Sequence, residues 1–368
     1  MPNLRRQLLI KFGPGMFPGI KKETWNALLK ENTVDSPYRF RAALVSFLSL
    51  LTSPICALEE RNLDPLLARV SMEDPIFILG HSRSGTTHLH QILTRDRQFG
   101  FPRLYESYFP HTFYNTEWLL PKLLDPFYQG RRLQDNLVRD LSSPGEEEAA
   151  VCIGTGKSPW MSIVFPRNRE RYDRYLTFRH VSPSDIAHWQ NGLLWFLKKL
   201  TLKYQKPLVL KSATNTCRIK LLLAMFPRAR FINIHRHPFE VFNSTVHLDR
   251  VSLDAWGLQT CRENRTIPII QRYKEMYDVF FEEKRLIPEG QFFELKFNDL
   301  VRDPFCCIES LYRAFNIRGF KAFAPTLRQY IATLSGFQKN EYGEIPCGVR
   351  SILRETWAQS FEEWKYSP

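Results

Sequence analysis

Cysteine pairs, long apolar runs, repeats and low-complexity tracts are all scarce or missing in this chain, and each shortage removes a class of protein. The 368 residues hold seven cysteines (56, 152, 217, 261, 306, 307 and 347), an odd number with no Cys-x-x-Cys pair among them. That pattern supports neither a disulfide framework nor a structural zinc site, and a reducing compartment fits it. At the N-terminus, MPNLRRQLLIKFGPG places only Leu8, Leu9 and Ile10 in a row after its arginine pair. A secretory core needs at least about seven apolar residues, so export is not expected.

The most apolar segment runs from Phe40 to Leu58, where Phe40, Ala43, Leu44, Phe47, Leu48, Leu51, Ile55 and Leu58 follow helical spacing. A spanning helix needs about 20 apolar residues, and here Ser46, Ser49, Thr52, Ser53 and Pro54 interrupt a shorter run. The expectation is a helix that packs this stripe on the core, with a membrane-surface helix as the rival.

Acidic residues are also in short supply. Asp and Glu number 38 against 51 Lys and Arg, a net charge of +13 that favours a polyanionic partner such as nucleic acid, an anionic membrane surface or a phosphorylated small molecule. No nucleic-acid-binding motif accompanies the charge, so nucleic acid is not expected. With 43% hydrophobic and 14% aromatic residues, the chain has the material for a large core.

Three segments read as strands that each lead into a helix: Pro75 to Leu79, Pro207 to Leu210, and Ala229 to His235. Their continuous hydrophobicity indicates strands covered on both faces, which predicts an α/β fold with a doubly wound central parallel sheet flanked by helices. Ligands of such sheets bind at the carboxyl ends of the strands. Asn62 to Ser71 reads as the link to a helical N-terminal part.

At the end of the first strand, Gly80-His81-Ser82-Arg83-Ser84-Gly85-Thr86-Thr87 has the glycine spacing of a phosphate-binding loop, with Thr86 where an NTPase has its lysine. The glycines allow a curl of inward amides, the following helix adds its positive end, and Arg83 supplies a cation from inside the loop. The second strand ends in Lys211 and the third in His235 and Arg236. These cations stand where a metal-dependent enzyme would place an acid, so the expected ligand is a strongly anionic one held without metal. Ser244, eight positions after Arg236, lies about two turns into the next helix, where it and Arg236 bracket a second phosphate.

Together these segments resemble the sulfotransferases that use 3′-phosphoadenylyl sulfate (PAPS), with a P-loop-like fold. The 5′-phosphosulfate loop [KR]-S-G-T-[ST] is matched by Arg83, Ser84, Gly85, Thr86 and Thr87, and the 3′-phosphate stretch R-x-P-x-x-x-x-x-S by Arg236, Pro238 and Ser244. The similarity extends over roughly residues 72 to 365. It is closest to a bacterial-type group with a GHxRSGTT loop and a P-x-E-[DE]-E segment, here Pro144 to Glu148.

The resemblance implies a sulfotransferase domain over 71–368, with 1–70 as a helical extension. It implies transfer of a sulfuryl group from PAPS to an acceptor hydroxyl, with Arg83 and Lys211 stabilising the departing phosphate. Lys339 and Tyr342 fall where the family closes a loop over the nucleotide. The cytosolic members' histidine, two positions after a lysine, is replaced here by Ala213. Other branches of the family use a Glu shortly after the loop's helix, which implies Glu106 as the general base, its rival role being an exposed acid next to Arg103. Glu147 is a second base candidate, for which helix capping is also sufficient. His81 is open to loop packing or to contact with the reacting groups, and His88 and His90 face different sides of their helix.

The run Arg167, Arg169, Arg171 and Arg174 reads as a solvated face. The aromatic stretch Tyr105 to Trp118 suggests a hydrophobic acceptor such as a lipid alcohol or phenol. Such an acceptor suits a cytoplasmic enzyme in peripheral contact with a membrane. The competing function is a metal-dependent nucleotide or small-molecule kinase on a similar sheet.

Overall fold

The computed structural model describes residues 7, 10–131, 138–334 and 342–368. The chain divides into two compact units that interleave along the sequence: Met1–Met72, Pro102–Gln205 and Asp249–Glu263 in the first, and Glu73–Phe101, Lys206–Leu248 and Asn264–Pro368 in the second.

The second unit is built on one parallel sheet. Its strands β1 (Ile76–Leu79), β2 (Val209–Lys211), β3 (Arg230–His235) and β4 (Phe292–Lys296) lie in the order β2-β1-β3-β4. Ile78 pairs with Lys211 on one side of β1, and Leu79 pairs with Asn233 on the other. Every residue of β1 and β2 is buried. Ile76, Ile78, Ile232 and Ile234 pack with Leu89, Ile92, Leu300 and Ile308, while Phe77 stacks on Phe231 at 5.6 Å. Helices cover both faces, as the continuous apolar runs require.

β1 leads into the Thr86–Leu93 helix, and β3 into the Pro238–Trp256 helix, which starts on its proline. After β2 the single expected helix is broken into a short 3₁₀ segment, Ala213–Cys217, and a helix, Ile219–Met225. β4 was not expected, because FFELK is a partly exposed edge strand with Glu294 facing solvent and no continuous apolar run. The chain turns from β2 back across β1 to β3, so the switch point of the sheet lies between β1 and β3.

The first unit is helical, apart from a two-stranded ribbon of Gly130–Arg131 and Val138–Arg139. Its longest helix, Arg39–Leu67, continues through Pro54 and through most of the expected link. Its orientation corrects the sequence expectation. Phe40, Phe47, Leu51 and Leu58 are exposed, whereas Arg41, Ala42, Val45, Ser49, Cys56, Glu59, Leu63 and Leu67 are buried. The opposite face packs on the protein, where its two charged residues are hydrogen-bonded. Arg41 donates to Gly257 O at 2.8 Å, and Glu59 receives Lys199 Nζ at 2.5 Å.

Candidate active site

At the carboxyl end of β1 the backbone must curl sharply, and three positive φ angles do this: 132° at Gly80, 78° at Arg83 and 105° at Gly85. A Cβ on Gly80 would meet Ile234 O at 2.4 Å, and one on Gly85 would meet the Phe297 ring at 2.3 Å, so both glycines are required by close approach as well as by φ. Arg83 has no such steric licence. A non-glycine residue there carries a backbone strain of about 1–3 kcal/mol, of the kind that persists at functional sites.

Side chains fix the curl. Gly80 N donates to Thr216 Oγ1 at 2.8 Å, His81 N to Tyr277 OH at 3.0 Å, and Ser84 Oγ to His81 O at 2.7 Å. Ser84 and Thr86 are buried, and Thr86 and Thr87 open the helix whose first amides face back toward the loop.

Arg83 Nε donates to Ser244 Oγ at 2.7 Å, and Ser244 Oγ lies 3.0 Å from Tyr342 OH. The structure thus gathers one residue from the loop after β1, one from the helix after β3 and one from the tail. Arg236 leaves β3 with its guanidinium 4.7 Å from the Phe297 ring, and its Nε donates to Glu240 Oε2 at 2.6 Å. Lys339 lies outside the described residues.

Lys211 closes β2 and is 3% exposed, so it is not a solvated strand end. His90 is also buried, and burial first, with Lys211 second, holds its imidazole down at about 3. His81 is lowered to about 4 by burial, and its Nδ1 donates to Ser82 O at 2.7 Å. Its ring is 5.1 Å from that of Tyr273, so His81 packs the loop as a neutral wedge. His88 is likewise lowered by burial to about 4.

Glu106 belongs to the first unit, on the Leu104–Tyr108 helix. Its exposed rival role does not hold: the side chain is fully buried, and Arg103 pairs with Glu117 at 3.1 Å instead. Glu106 Oε2 accepts Arg103 N at 2.7 Å, while Oε1 accepts Lys203 Nζ and Tyr204 OH, each at 2.6 Å. Glu147 and Glu148 open the Glu147–Thr155 helix as expected of acids in a first turn, yet both are buried. Glu148 takes Ser158 Oγ at 2.5 Å. The arginine run is anchored on acids, with Arg167 on Asp35 at 2.8 Å and Arg171 on Glu31 at 2.7 Å.

Three residues of this site in the second unit were missed from sequence. Phe297 touches both Gly85 and Arg236, Thr216 holds the start of the loop, and Glu240 occupies the Arg236 guanidinium. Only Glu240 carried a local signal, since it stands one turn after Arg236.

A glycine-curled loop at a sheet switch point, joined by arginine and hydroxyl groups from two later segments, defines a site for a strongly anionic donor of a group. The chain matches the sulfotransferase family over residues 75–321, and it belongs to that family. It is an enzyme that transfers a sulfuryl group, and the kinase alternative has no support. Over 356 residues it is 32% identical to the omega-hydroxy-beta-dihydromenaquinone-9 sulfotransferase of Mycobacterium bovis, covering 95% of this chain and 91% of that one. The protein of the same name from Mycobacterium tuberculosis gives the same figures. Among solved structures, sulfotransferase STF9 from Mycobacterium avium aligns with a TM-score of 0.66 at 17% identity over 93% of this chain and 95% of that one. Sulfotransferase STF1 from Mycobacterium tuberculosis gives 0.60 at 18% over 98% of each. These likenesses show the fold.

Proposed function

We propose that the protein transfers the sulfuryl group of PAPS to a hydroxyl on a hydrophobic acceptor, a lipid alcohol or phenol. The observation that carries this reading is the convergence of Arg83, Ser244 and Tyr342, with Arg236 leaving the adjacent strand. PAPS presents phosphate at both its 5′ and 3′ ends, and in this reading Arg83 in the loop and Arg236 at the end of β3 offer a cation to each. The glycines let the loop hold its curl against Ile234 and Phe297, where a Cβ would collide.

In this reading the amides and hydroxyls of Arg83, Ser84, Gly85, Thr86 and Thr87 hold the 5′-phosphosulfate, and Arg236 and Ser244 hold the 3′-phosphate. Tyr342 closes over the nucleotide. PAPS supplies an activated sulfuryl group whose S–O bond to phosphate breaks as the acceptor oxygen attacks. Arg83 and Lys211 place positive charge against the departing oxygen. Glu106 takes the acceptor proton, for which its carboxylate must exchange Lys203 or Tyr204 for the substrate hydroxyl. No metal enters the reaction.

Residues 71–368 carry the sulfotransferase domain in this reading, with 1–70 as its helical extension. The acceptor assignment draws on the mycobacterial relative, whose name specifies a quinone-derived lipid substrate. A cytoplasmic enzyme meeting that acceptor at a membrane surface completes the proposal.

Calorimetric titration tests the donor. Adenosine 3′,5′-bisphosphate should bind more tightly than AMP without metal, and Arg236→Ala should weaken the bisphosphate by at least about tenfold while changing AMP little. Equal losses for both ligands would refute the 3′-phosphate role of Arg236. A preference for ATP with Mg²⁺ would overturn the donor altogether.

A further inference from the structure

We propose that the outward face of the Arg39–Leu67 helix, with the nearby Trp118 and Leu119, is a docking surface for an anionic lipid bilayer, and that the helix lies in the interface without crossing it. This sharpens the membrane-surface part of the proposed function and does not depend on the identity of the donor.

Between Arg41 and Glu59 the helix has no charged residue. Its exposed positions over that stretch include Phe40, Ala43, Phe47, Leu50, Leu51, Pro54, Ala57 and Leu58, one continuous apolar stripe. Phe40, Phe47, Leu50, Leu51 and Leu58 are each more than half exposed. Solvated stripes of this size are uncommon and mark interaction sites. The hydroxyls along the helix are folded back on its own carbonyls: Ser46 Oγ to Ala42 O at 3.0 Å, Thr52 Oγ1 to Leu48 O at 3.0 Å and Ser53 Oγ to Ser49 O at 2.7 Å. They therefore keep their hydrogen bonds in an apolar medium.

By length and composition the helix is sufficient to span a membrane, but its other face rules this out. Arg41 and Glu59, at the two ends of the uncharged run, are buried and bonded into their own unit through Gly257 and Lys199. Crossing a bilayer would tear both from their partners, at a large cost for unpaired charges. A helix held to the protein on one side and apolar on the other is the geometry of an interfacial anchor.

The surface extends past the helix. Asn115 N donates to Glu59 Oε2 at 2.8 Å, which seats the following Trp118 and Leu119 near it, and Trp118 is 69% exposed. Trp is the side chain most suited to a headgroup layer. Charge decides the occupant. Arg39 and Arg61 on the helix and Arg69 just past its end are exposed, whereas Glu60 pairs with Lys21 and Glu117 with Arg103 and Lys203. Asp64 is the exposed acid at the far end of the helix. A second copy docked face to face would set basic rims against each other, while anionic lipid neutralises them.

The test is co-sedimentation of the full chain with vesicles of phosphatidylcholine containing phosphatidylglycerol, and with phosphatidylcholine alone. The protein should sediment with the anionic vesicles, less so with the neutral ones. Replacing both Phe47 and Leu51 by Glu should lower partitioning by at least about tenfold, with unchanged thermal melting and unchanged binding of adenosine 3′,5′-bisphosphate. A Phe47→Ser, Leu51→Ser pair serves if the glutamates disturb folding. Brominated lipid should quench fluorescence in the wild type and less in Trp118→Phe. Absence of wild-type sedimentation, or equal sedimentation of wild type and variants, would overturn the proposal. A dimer that the same substitutions convert to monomer, with no vesicle binding, would reassign the face to contact between copies. Loss of bisphosphate binding in the wild type would strike the donor assignment and leave this surface untouched.

Discussion

In the first unit, buried carboxylates meet lysines: Glu59 meets Lys199, and Glu106 meets Lys203. In the second, Arg83, Lys211 and Arg236 gather at the carboxyl edge of the sheet, and the imidazoles packed nearby are kept neutral. His81 and His88 are lowered to about 4 and His90 and His235 to about 3, in each case by burial first. The contrast separates two uses of buried charge. An ion pair satisfied within its own unit holds that unit together. Arg83 meets the Ser244 hydroxyl while Arg236 is paired with Glu240 at its own helix start, so a polyanionic donor would have Glu240 to displace from Arg236.

Acidification should produce the largest effect, and it should fall on the second unit. Each of these histidines has a folded pKa below its ordinary 6.5. Their neutral burial therefore contributes fully above pH 6.5. As the pH falls from 6.5 toward 4 and then 3, the unfolded chain takes up protons that the folded chain refuses, and stability is lost. Hydrogen exchange at pH 7 and pH 5 should show amides of β1, β2 and β3 losing more protection than those of the Pro183–Tyr204 helix. His111, in the first unit, is also held well below the usual range by burial, so some loss there is expected too. Equal loss in both units would break the comparison.

The opposite arm of the contrast is Lys199, 1% exposed and bonded to Glu59 and to Pro110 O. Lys199→Met should cost about 3–5 kcal/mol of stability, because it leaves a buried carboxylate unanswered. Adding Glu59→Leu should recover much of that loss in urea unfolding. Affinity for the bisphosphate in the folded fraction should stay within about twofold. A similar fall in that affinity would mean that this pair serves the site as well as the fold.

Arg83→Gln reverses the pattern. Taking a cation from where charge develops in the transition state should lower kcat by about 10²–10³-fold, the range typical of one such donor, with little change in melting temperature. Arg83→Lys should recover part of the rate. An unchanged kcat with a raised KM would reduce Arg83 to a binding residue.

What was legible in the sequence follows the same division. The loop could be read because its determinants are local: two glycines five positions apart, a cation between them and a helix that starts at Thr86 as expected. Phe297 could not, since its role is to touch Gly85 and Arg236 from distant stretches of chain. β4, which leads into it, lacks the apolar run that marks its buried neighbours. Periodicity found the Phe40 to Leu58 part of the long helix and its stripe, but periodicity names an apolar face without saying whether protein covers it. The covered face holds Arg41 and Glu59, whose partners Gly257 and Lys199 lie far along the chain. Glu106 was likewise expected either as a base or as an exposed acid. Its burial depends on Lys203 and Tyr204, about a hundred positions later.

Ser244 offers the smallest and most discriminating test. Its hydroxyl accepts from Arg83 Nε at 2.7 Å and sits 3.0 Å from Tyr342 OH, so it is poised both to meet a 3′-phosphate and to steer the arginine of the loop. Ser244→Ala removes one hydrogen-bonding group worth about 1 kcal/mol, and bisphosphate affinity should fall about fivefold with no change in melting temperature. If AMP affinity is unchanged, the hydroxyl acts at the 3′ end, the role proposed for Arg236. If AMP and the bisphosphate weaken together and kcat falls with them, the hydroxyl acts through Arg83. In that case the site would be a single cluster around the 5′ end, and Arg236 alone would have to account for any preference for the second phosphate.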